Sequence, residues 1–341
     1  MKSAVDYFLK AVFTIIGLAV GLILVCIGFS LLFSNPSELP RSTTLRVLPN
    51  DQWEINHFSH DAPTILKLNI NGVIGLEQNL RKEDIFQQLI ESQDGELKSG
   101  QVKGVILYIN SPGGTADDSD SIYRMVMEYK KRYNVPVMAY VDGLCASGGT
   151  YIACAADKIY ASEESLIGHV GVLLSPPFFN VSKLMERLGV QSKTFYAGKD
   201  KDDMNPFRPW REDEGQNFDR LVHFMYGRFM KVVAESRPKL TVDILKEEGA
   251  QIYPAPQAEE LGYIDGRMNT LDDLLKDFAT ELGIYDNYQF VVLERHDFFA
   301  DLFGARAQAL FTKNNEIRIR LPGDLHPDLY GKPLYLYHPH E

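Results

Sequence analysis

The sequence has little cysteine. Among 341 residues only Cys26, Cys145 and Cys154 occur, too few for a disulfide framework, and none is spaced with histidines as a zinc site requires. We interpret Cys145 and Cys154 as small apolar packing residues. The patterns GxxxxGK(S/T) and HExxH are absent as well, so the sequence implies neither ATP nor zinc, and we predict no cofactor and no metal.

Positive charge is also in short supply. Lysine and arginine number 35 against 46 aspartate and glutamate residues, which gives a net charge of −11 at pH 7. Proteins that bind nucleic acid need clustered Lys and Arg to neutralise phosphates, so we predict no nucleic-acid partner. The hydrophobic share of 45% is that of an ordinary globular protein, and the length allows one large domain or two smaller ones.

One long stretch near the N-terminus lacks charge altogether. Its apolar part, residues 11–33, would be roughly 34 Å long as a helix, enough to cross a bilayer core of about 30 Å. A cleaved signal peptide is the alternative, but its apolar region would usually be about 7–15 residues long, and SNPSELP is a poor cleavage site. We therefore predict a cytoplasmic leader over residues 1–10, one transmembrane anchor over residues 11–33 and a polar linker over residues 34–61. The short leader favours an N-in orientation, which places the rest of the chain outside the cytoplasm.

Strands and helices alternate from residue 62 onward. TILKLNINGVIG, VKGVILYIN and PVMAYV are typical of strands, whereas KEDIFQQLI and the stretch after SPGGTADDSD each have one apolar helical face. A long amphipathic helix is predicted over Glu212–Arg237, with three acidic residues at its positive end. This alternation predicts an α/β domain with mainly parallel strands.

Two of the strand-to-helix turns are rich in glycine. INSPGG ends at Gly113 and Gly114, and CASGG places Ser147 before Gly148 and Gly149. Attack on a carbonyl creates an oxyanion, and each backbone N–H aimed at it contributes about 3–4 kcal/mol. Glycine lets the backbone come that close, although a tight turn that needs small residues for packing would give either pattern alone. Together the two turns favour a serine that faces a substrate, with Gly114 and Gly148 as oxyanion donors.

YINSPGG followed by DGLCASGGTYIACAAD resembles the signal peptide peptidase A family, also called protease IV, which shares a superfamily with Clp protease and the crotonases. The similarity continues through IGHVGVL, AGKDKDDMNPFRP and QAEELGYIDG and covers residues 62–285. It leaves residues 286–341 as a C-terminal extension to which the sequence assigns no role. One copy of the unit behind one anchor is similar to the half-length form of the family.

The resemblance implies a fold, an activity and an assembly. The fold would be ClpP/crotonase-like, with repeated strand-helix units and a mainly parallel sheet. The activity would be that of a membrane-bound serine endopeptidase, which cleaves signal-peptide remnants and other apolar peptides at the bacterial cytoplasmic membrane. The assembly would be a homo-oligomeric ring in which neighbouring subunits share active sites.

The resemblance also implies a catalytic pair, with Ser147 as the nucleophile and a lysine as the base. The family's base follows a glycine in the pattern G-x-x-K, which here starts at Gly198. The resemblance therefore assigns the role of base to Lys201 and no catalytic role to Lys199. The base must be a neutral amine, so burial would have to lower its pKa from the ordinary value of about 10.4. The alternative is that both lysines are solvated loop residues.

His169 departs from the family pattern, which usually has serine at this place in S-I-G-V, a hydroxyl that orients the lysine. Three interpretations are open: a buried histidine bonded to backbone, a residue that orients Lys201, or a base that acts directly on Ser147, since histidine needs little pKa tuning. The departure also leaves open a membrane scaffold or peptide-binding protein without activity. Acyl-CoA chemistry on a crotonase-like fold is a further alternative, which the anchor and the G-x-x-K pattern disfavour.

Overall fold

A computed structural model of the chain describes residues 12–14, 16–18, 20–22, 42–76, 79–174, 177–296 and 333–336. The chain divides into two compact units, residues 1–44 with 295–318 and residues 45–294 with 319–341. In the first unit the described residues from 12 to 22 are helical, and much of the predicted anchor over residues 11–33 lies outside the described residues. Among the residues that the structure describes, no helix combines the length and the apolar content needed to cross a bilayer.

The remaining elements are strands and helices that are mixed along the chain. The strands are β1 (Ser42–Leu48), β2 (Thr64–Asn71), β3 (Val102–Ser111), β4 (Gly113–Thr115), β5 (Val137–Ala146), β6 (Lys158–Ala161), β7 (Leu166–Gly168), β8 (Leu173–Leu174), β9 (Ile252–Pro254), β10 (Gly266–Arg267), β11 (Gln289–His296) and β12 (Pro333–Leu336). The helices are α1 (Lys82–Asp94), α2 (Ala116–Tyr133), α3 (Gly148–Ala153), α4 (Ser182–Arg187), α5 (Gln216–Ser236), α6 (Val242–Glu248), α7 (Ala255–Leu261) and α8 (Leu271–Glu281).

The large sheet is mainly parallel, which confirms the predicted α/β domain with mainly parallel strands. Its strand order is β1-β11-β2-β3-β5-β6-β10, and the neighbours from β11 to β10 are parallel. Strand β7 runs parallel to β5 and antiparallel to β9. A smaller antiparallel sheet has the order β4-β12-β8.

Both faces of the large sheet are covered, as is usual for parallel strands. Successive residues of β2 point to opposite faces. Ile65 packs on one side with Phe278 of α8, and Leu66 packs on the other side in the cluster that holds Ile122 of α2 and Phe229 of α5. These side chains have no measurable exposure to solvent. Burial on both faces makes the sheet a rigid base for the turns at its edge.

Side chains fix the ends of the helices that flank the glycine-rich turns. Thr115 accepts a hydrogen bond from the backbone N–H of Asp118 at 3.3 Å and so caps α2. Asn134 ends the same helix in the left-handed conformation, which asparagine tolerates. Because Thr115 is also the last residue of β4, its cap ties the start of α2 to the SPGG turn.

Three boundaries differ from the sequence predictions. The long helix α5 begins at Gln216 rather than at Glu212, because the Glu214 carboxylate accepts the backbone N–H groups of Met204 and Arg211 and holds a turn instead. Strand β1 lies inside the predicted linker over residues 34–61. Strand β11 lies inside the predicted extension over residues 286–341 and pairs with β2. Both strands depend on a distant partner for their hydrogen bonds.

Candidate active site

The two glycine-rich turns lie side by side. Strands β3 and β5 are parallel neighbours, with Ser111 opposite Cys145, so the chain leaves both strands at the same edge of the sheet. After β3 it continues into β4, and after β5 it reaches Ser147. This edge, at the carboxyl ends of parallel strands, is where α/β proteins bind their ligands.

Strand β4 approaches another part of the backbone too closely to carry a side chain at Gly114. The N–H of Ile74 donates to the carbonyl of Gly113 at 2.8 Å, and the N–H of Thr115 donates to the carbonyl of Ile74 at 2.9 Å. A Cβ atom on Gly114 would stand 1.9 Å from the Ile74 carbonyl oxygen. Gly113 has a φ of +96°, in the left-handed region that favours glycine. Both glycines are therefore required by the backbone itself.

Ser147 is held in a strained conformation between β5 and α3. Its φ of 54° and ψ of −113° are rarely adopted by residues other than glycine. Its N–H donates to the Gly168 carbonyl at 2.9 Å, and its own carbonyl accepts the N–H of Tyr151 at 2.9 Å. The residue is buried, and its Oγ has no hydrogen-bond partner among the described residues. A buried hydroxyl on a strained strand-to-helix turn is typical of an active-site nucleophile.

Ser147 also lies directly before the first turn of α3, where backbone N–H groups have no partner within the helix. Gly148 is the first residue of that turn, next to Ser147. A Cβ atom on Gly149 would lie 3.1 Å from the Ser111 carbonyl oxygen, so these small residues let α3 pack against the end of β3. The Gly148 N–H and the positive end of the helix suit a developing oxyanion.

The cysteines near this turn are not candidates for the nucleophile. Cys145 and Cys154 are free and buried. Burial raises the pKa of the Cys145 thiol to about 12 and that of the Cys154 thiol to about 11. Since the thiolate is the reactive form, both side chains stay protonated and unreactive at neutral pH. This agrees with the packing role predicted for them.

His169 lies beside Ser147. Strand β7 pairs with β5 such that Gly168 stands opposite Ala146, which makes the next residue of each strand, His169 and Ser147, neighbours. The His169 N–H donates to the Gln251 carbonyl at 2.6 Å. Burial lowers the pKa of the imidazole, so the ring is neutral at neutral pH. A neutral imidazole can accept a proton or a hydrogen bond from a nearby hydroxyl or amine.

Neither candidate lysine forms a hydrogen bond with Ser147 Oγ. Lys199 and Lys201 are both exposed, on a turn that begins at Gly198. The N–H of Lys201 donates weakly to the Gly198 carbonyl at 3.4 Å. Because Ser147 Oγ has no partner in the part of the chain described, the predicted Ser-Lys pair is not assembled within it.

A C-terminal strand lies against the edge of this site. Strand β12 runs antiparallel to β4, with Leu336 opposite Gly113 and Leu334 opposite Thr115. On its other side Leu334 stands opposite Leu173 of β8. The gap between β4 and β8 therefore accepts an extended chain as an added strand, which is one way in which sheets bind peptides.

Two residues that frame the site were not predicted from the sequence. Ile74 fixes β4 through its backbone, and the Gly168 carbonyl accepts from both Ser147 N and Thr150 Oγ1. The Asn-Gly pair at residues 71–72 was a sequence signal for the position of Ile74, since such pairs mark a bend at the end of a strand. No sequence pattern near Gly168 predicts the contacts of its carbonyl, because they depend on the pairing of β7 with β5.

A strained, buried serine, a glycine edge beside it and a gap that holds an extended strand define a peptidase-type site. The family model for Clp protease matches residues 67–167, and that for Peptidase family S49 matches residues 129–284. A protein of Enterococcus faecium named "Putative signal peptide peptidase SppA" is 33% identical over 282 residues, which are 80% of this chain and 81% of that protein.

Two further relatives match over shorter shares of their length. The chloroplastic serine protease SPPA of Arabidopsis thaliana is 32% identical over 183 residues, 53% of this chain and 26% of its own. Protease 4 of Haemophilus influenzae is 26% identical over 245 residues, 67% of this chain and 38% of its own. The chain belongs to peptidase family S49, the family of the signal peptide peptidases, and is a serine peptidase.

Proposed function

We propose that the protein is a membrane-anchored serine endopeptidase that uses Ser147 as nucleophile and Lys201 as general base. The observation that carries the proposal is the state of Ser147: buried, strained and, within the described part of the chain, without a hydrogen-bond partner for its Oγ. A serine hydroxyl is a weak nucleophile until a base removes its proton. Here the hydroxyl is in place, and in this proposal Lys201 supplies the base.

The reaction would proceed through an acyl-enzyme. Ser147 Oγ attacks the scissile carbonyl carbon while its proton passes to the neutral amine of Lys201, and the N–H groups of Gly114 and Gly148 bind the oxyanion. Collapse of this intermediate breaks the C–N bond, and the leaving amine takes the proton from Lys201. Water, deprotonated by Lys201, then hydrolyses the ester on Ser147 and restores the enzyme.

In this proposal the lysine comes from a second copy of the chain. Lys201 follows a run of exposed residues, and apolar side chains around it and on α5 are open to solvent: Phe179 is 69%, Phe195 85% and Phe224 63% exposed. Exposed apolar surface of this kind supports contact with another protein. Contact between copies would bury the amine and so favour its neutral form. A homo-oligomer with shared sites, such as a ring, would cover the exposed apolar side chains and would also bury the Lys201 amine.

Substrates would bind as an added strand in the gap between β4 and β8. The placement of β12 supports this, because it shows that an extended segment fits there. A cavity of about 170 Å³ lies beside the residues that follow His169 in the sequence. Its lining is mainly Val170, Val172, Val222 and Tyr226. Such a lining suits an apolar side chain, in agreement with signal-peptide remnants and other apolar peptides as substrates.

The anchor over residues 11–33 would hold the peptidase at its substrates. The support for it is the uncharged stretch of the sequence, long enough for about 30 Å of hydrocarbon. With the N-terminus inside, the catalytic domain would lie on the non-cytoplasmic side of a bacterial cytoplasmic membrane.

Labelling with a serine-reactive fluorophosphonate, followed by mass-spectrometric assignment of the modified residue, tests the proposal. We expect a single label on Ser147 and none in the Ser147→Ala protein. Lys201→Ala should label far more slowly, because the hydroxyl then lacks its base. A label on another serine, or none on a folded oligomer, would contradict the proposal, and the second result would favour a peptide-binding protein without activity.

A Ser-His mechanism is the second candidate, favoured by the position of His169. His169 directly follows Gly168 in the sequence, and the Gly168 carbonyl accepts the hydrogen bond from the N–H of Ser147. In that mechanism His169 takes the proton of Ser147, and Lys201 is dispensable. The two mechanisms share the nucleophile and differ only in the base.

A further inference from the structure

Two arginines bond the turn that carries Lys201: Arg211 donates to Asp200 at 3.3 Å and to Asp203 at 2.6 Å, and Arg208 joins the turn to the residues before α5. Arg208 Nε donates to Asp202 Oδ2 at 2.6 Å, and its Nη2 donates to the backbone carbonyl of Asp202. The Nη1 and Nη2 atoms also donate to the two carboxylate oxygens of Glu214 at 2.8 and 2.7 Å. A single guanidinium therefore joins the residue that follows Lys201 to the residue that comes just before α5.

The carboxylates of this contact are shielded from water. The side chain of Asp202 is 7% exposed and that of Glu214 only 2%. Hydrogen bonds from Arg208 hold the pKa of Glu214 at about 2 and lower the pKa of Asp202, so both groups are ionised at neutral pH. Without the guanidinium, two shielded negative charges would repel each other at close range.

Apolar packing does not supply the shape of this turn. No apolar residue from 198 to 214, all of which the structure describes, is buried. Other polar contacts depend on the same centre: Glu214 also accepts the N–H of Met204 at 2.6 Å, and Asp202 also accepts from Asn205 Nδ2 at 2.7 Å. Arg208 is thus the only residue of these that bonds both carboxylates with its side chain.

A general base must come within about 3 Å of the proton that it removes, and a displacement of about 1 Å can cost about 100-fold in rate. An exposed lysine on a turn without an apolar core meets that requirement only if polar contacts fix the turn. From this geometry we infer that Arg208 is a positioning residue, which fixes the turn so that Lys201 reaches Ser147 of a neighbouring copy. The inference rests on the proposed role of Lys201; Arg208 itself does not touch the reacting atoms.

Three variants of the full chain test the inference. Arg208→Gln removes the charge and the forked donors, whereas Arg208→Lys keeps the charge but cannot bond both carboxylates in the same way. Arg267→Gln is the matched control, because Arg267 also bridges two carboxylates, Glu259 at 2.7 Å and Glu163 at 2.6 Å, on β10 at the edge of the large sheet. For an apolar fluorogenic peptide we expect Arg208→Gln to lower kcat by about 100-fold with KM within about twofold. Arg208→Lys should lose less, and Arg267→Gln should match the parent.

A double variant separates positioning from a general structural role. If Arg208 acts through Lys201, the Lys201→Ala/Arg208→Gln protein should be no slower than Lys201→Ala alone. A further loss in the double variant, or a normal kcat for Arg208→Gln, would overturn the inference. The mass of the oligomer in sedimentation should be the same for all variants.

If Arg208→Gln does not fold, Asp202→Asn takes its place. That variant keeps the size of the side chain and the bond from Arg208 to the backbone carbonyl, and it weakens the contacts of the carboxylate with Arg208 and Asn205. We expect a fall in kcat of about tenfold that disappears in the Lys201→Ala background, and a normal kcat would overturn the inference. Failure of the proposed function is a distinct outcome, since Lys201→Ala would then itself be active.

Discussion

At the scale of single residues, the proposed nucleophile and the proposed base differ in what holds them. Ser147 and His169 follow the last residues of paired strands, so their positions are set by the sheet. Lys201 lies on an exposed turn whose shape comes from polar contacts. One chain thus sets the positions of Ser147 and His169, whereas in the proposed mechanism the Lys201 amine reaches Ser147 only in an assembly.

Substitution of the three candidate bases distinguishes the mechanisms. We expect Lys201→Ala to lose about 10²–10⁴-fold in kcat/KM, the usual contribution of a general base, and Lys199→Ala to keep most of its activity. His169→Ser restores the family's usual residue and should leave substantial activity. An active Lys201→Ala enzyme together with an inactive His169→Ser enzyme would establish the Ser-His mechanism instead.

His169 should also make stability depend on pH. Burial lowers the pKa of the folded imidazole below its unfolded value of about 6.5. The unfolded chain therefore takes up the proton first, so the stability contributed by the neutral ring is present above about pH 6.5 and is lost as the pH falls below it. Urea midpoints measured at about pH 7.5 and about pH 5.5 should differ less for His169→Ser than for the parent. An equal difference would show that the ring is not buried in solution.

The close approach at Gly114 predicts a severe effect for one added methyl group. In Gly114→Ala the new Cβ would stand 1.9 Å from the Ile74 carbonyl oxygen, so β4 must move and its oxyanion donor with it. We expect a loss of about 10²–10³-fold in kcat. Gly227→Ala is the control, since its Cβ would meet nothing within 4 Å and a helical alanine should raise the free energy of unfolding by about 0.5–1 kcal/mol. A Gly114→Ala enzyme with normal kcat would exclude Gly114 as a donor.

At the scale of elements, the edges of the small sheet decide access to the site. Strand β4 on one side and β8 on the other both pair with β12. Their backbone groups are the ones that an extended peptide would need. In the proposed binding mode, a peptide substrate takes the place of β12.

Removal of this strand should make the peptidase bind peptides more tightly. A protein that ends at residue 330 lacks β12, and its KM for an apolar peptide should fall while kcat stays the same. If β12 fills the gap for nine-tenths of the time, the fall would be about tenfold. An unchanged KM in steady-state kinetics would show that β12 does not compete with substrate.

At the scale of the whole molecule, exposed apolar residues predict an assembly. Helix α5 packs into the core only through part of its length, with Phe229, Met230 and Val233 buried. Earlier in the helix, Phe224 is 63% exposed. The predicted apolar stripe of this helix therefore serves both its own core and a surface open to a partner.

Mixed oligomers should show whether the pair of residues crosses between copies. Ser147→Ala and Lys201→Ala proteins are each expected to be inactive. When they are dissociated, mixed and reassembled, activity should return, because some sites receive a normal serine from one copy and a normal lysine from the next. Sedimentation of the soluble domain should give a mass well above that of the monomer. A fully active monomer at high dilution would refute the shared site.

The anchor is tested by extraction. The full chain should stay in the membrane fraction after an alkaline wash, and its C-terminal domain should be digested by protease only from the non-cytoplasmic side. Recovery of a soluble protein that begins near residue 35 would identify the segment as a cleaved signal peptide instead.

The sequence by itself determined the parallel α/β fold and the turn around Ser147. Both rest on local signals: runs of apolar residues specify the strands, and glycines at two strand ends specify turns that must come together in a parallel sheet. The motifs were specific enough to indicate the family, which the comparisons confirmed. Boundaries were predicted less well, because β1 and β11 gain their hydrogen bonds from strands far away in the chain.

Only the tertiary structure decided what surrounds the nucleophile. The strain at Ser147, the contact of Gly114 with Ile74 and the position of His169 depend on strands that pair across long separations. The hydrogen bonds of Arg208 with Asp202 and Glu214 depend on side-chain geometry. The sequence does not reveal them, since the same charged side chains could equally lie in solvent. Long-range pairing and burial are properties of the folded chain, and they determine which of the residues found in the sequence can act together.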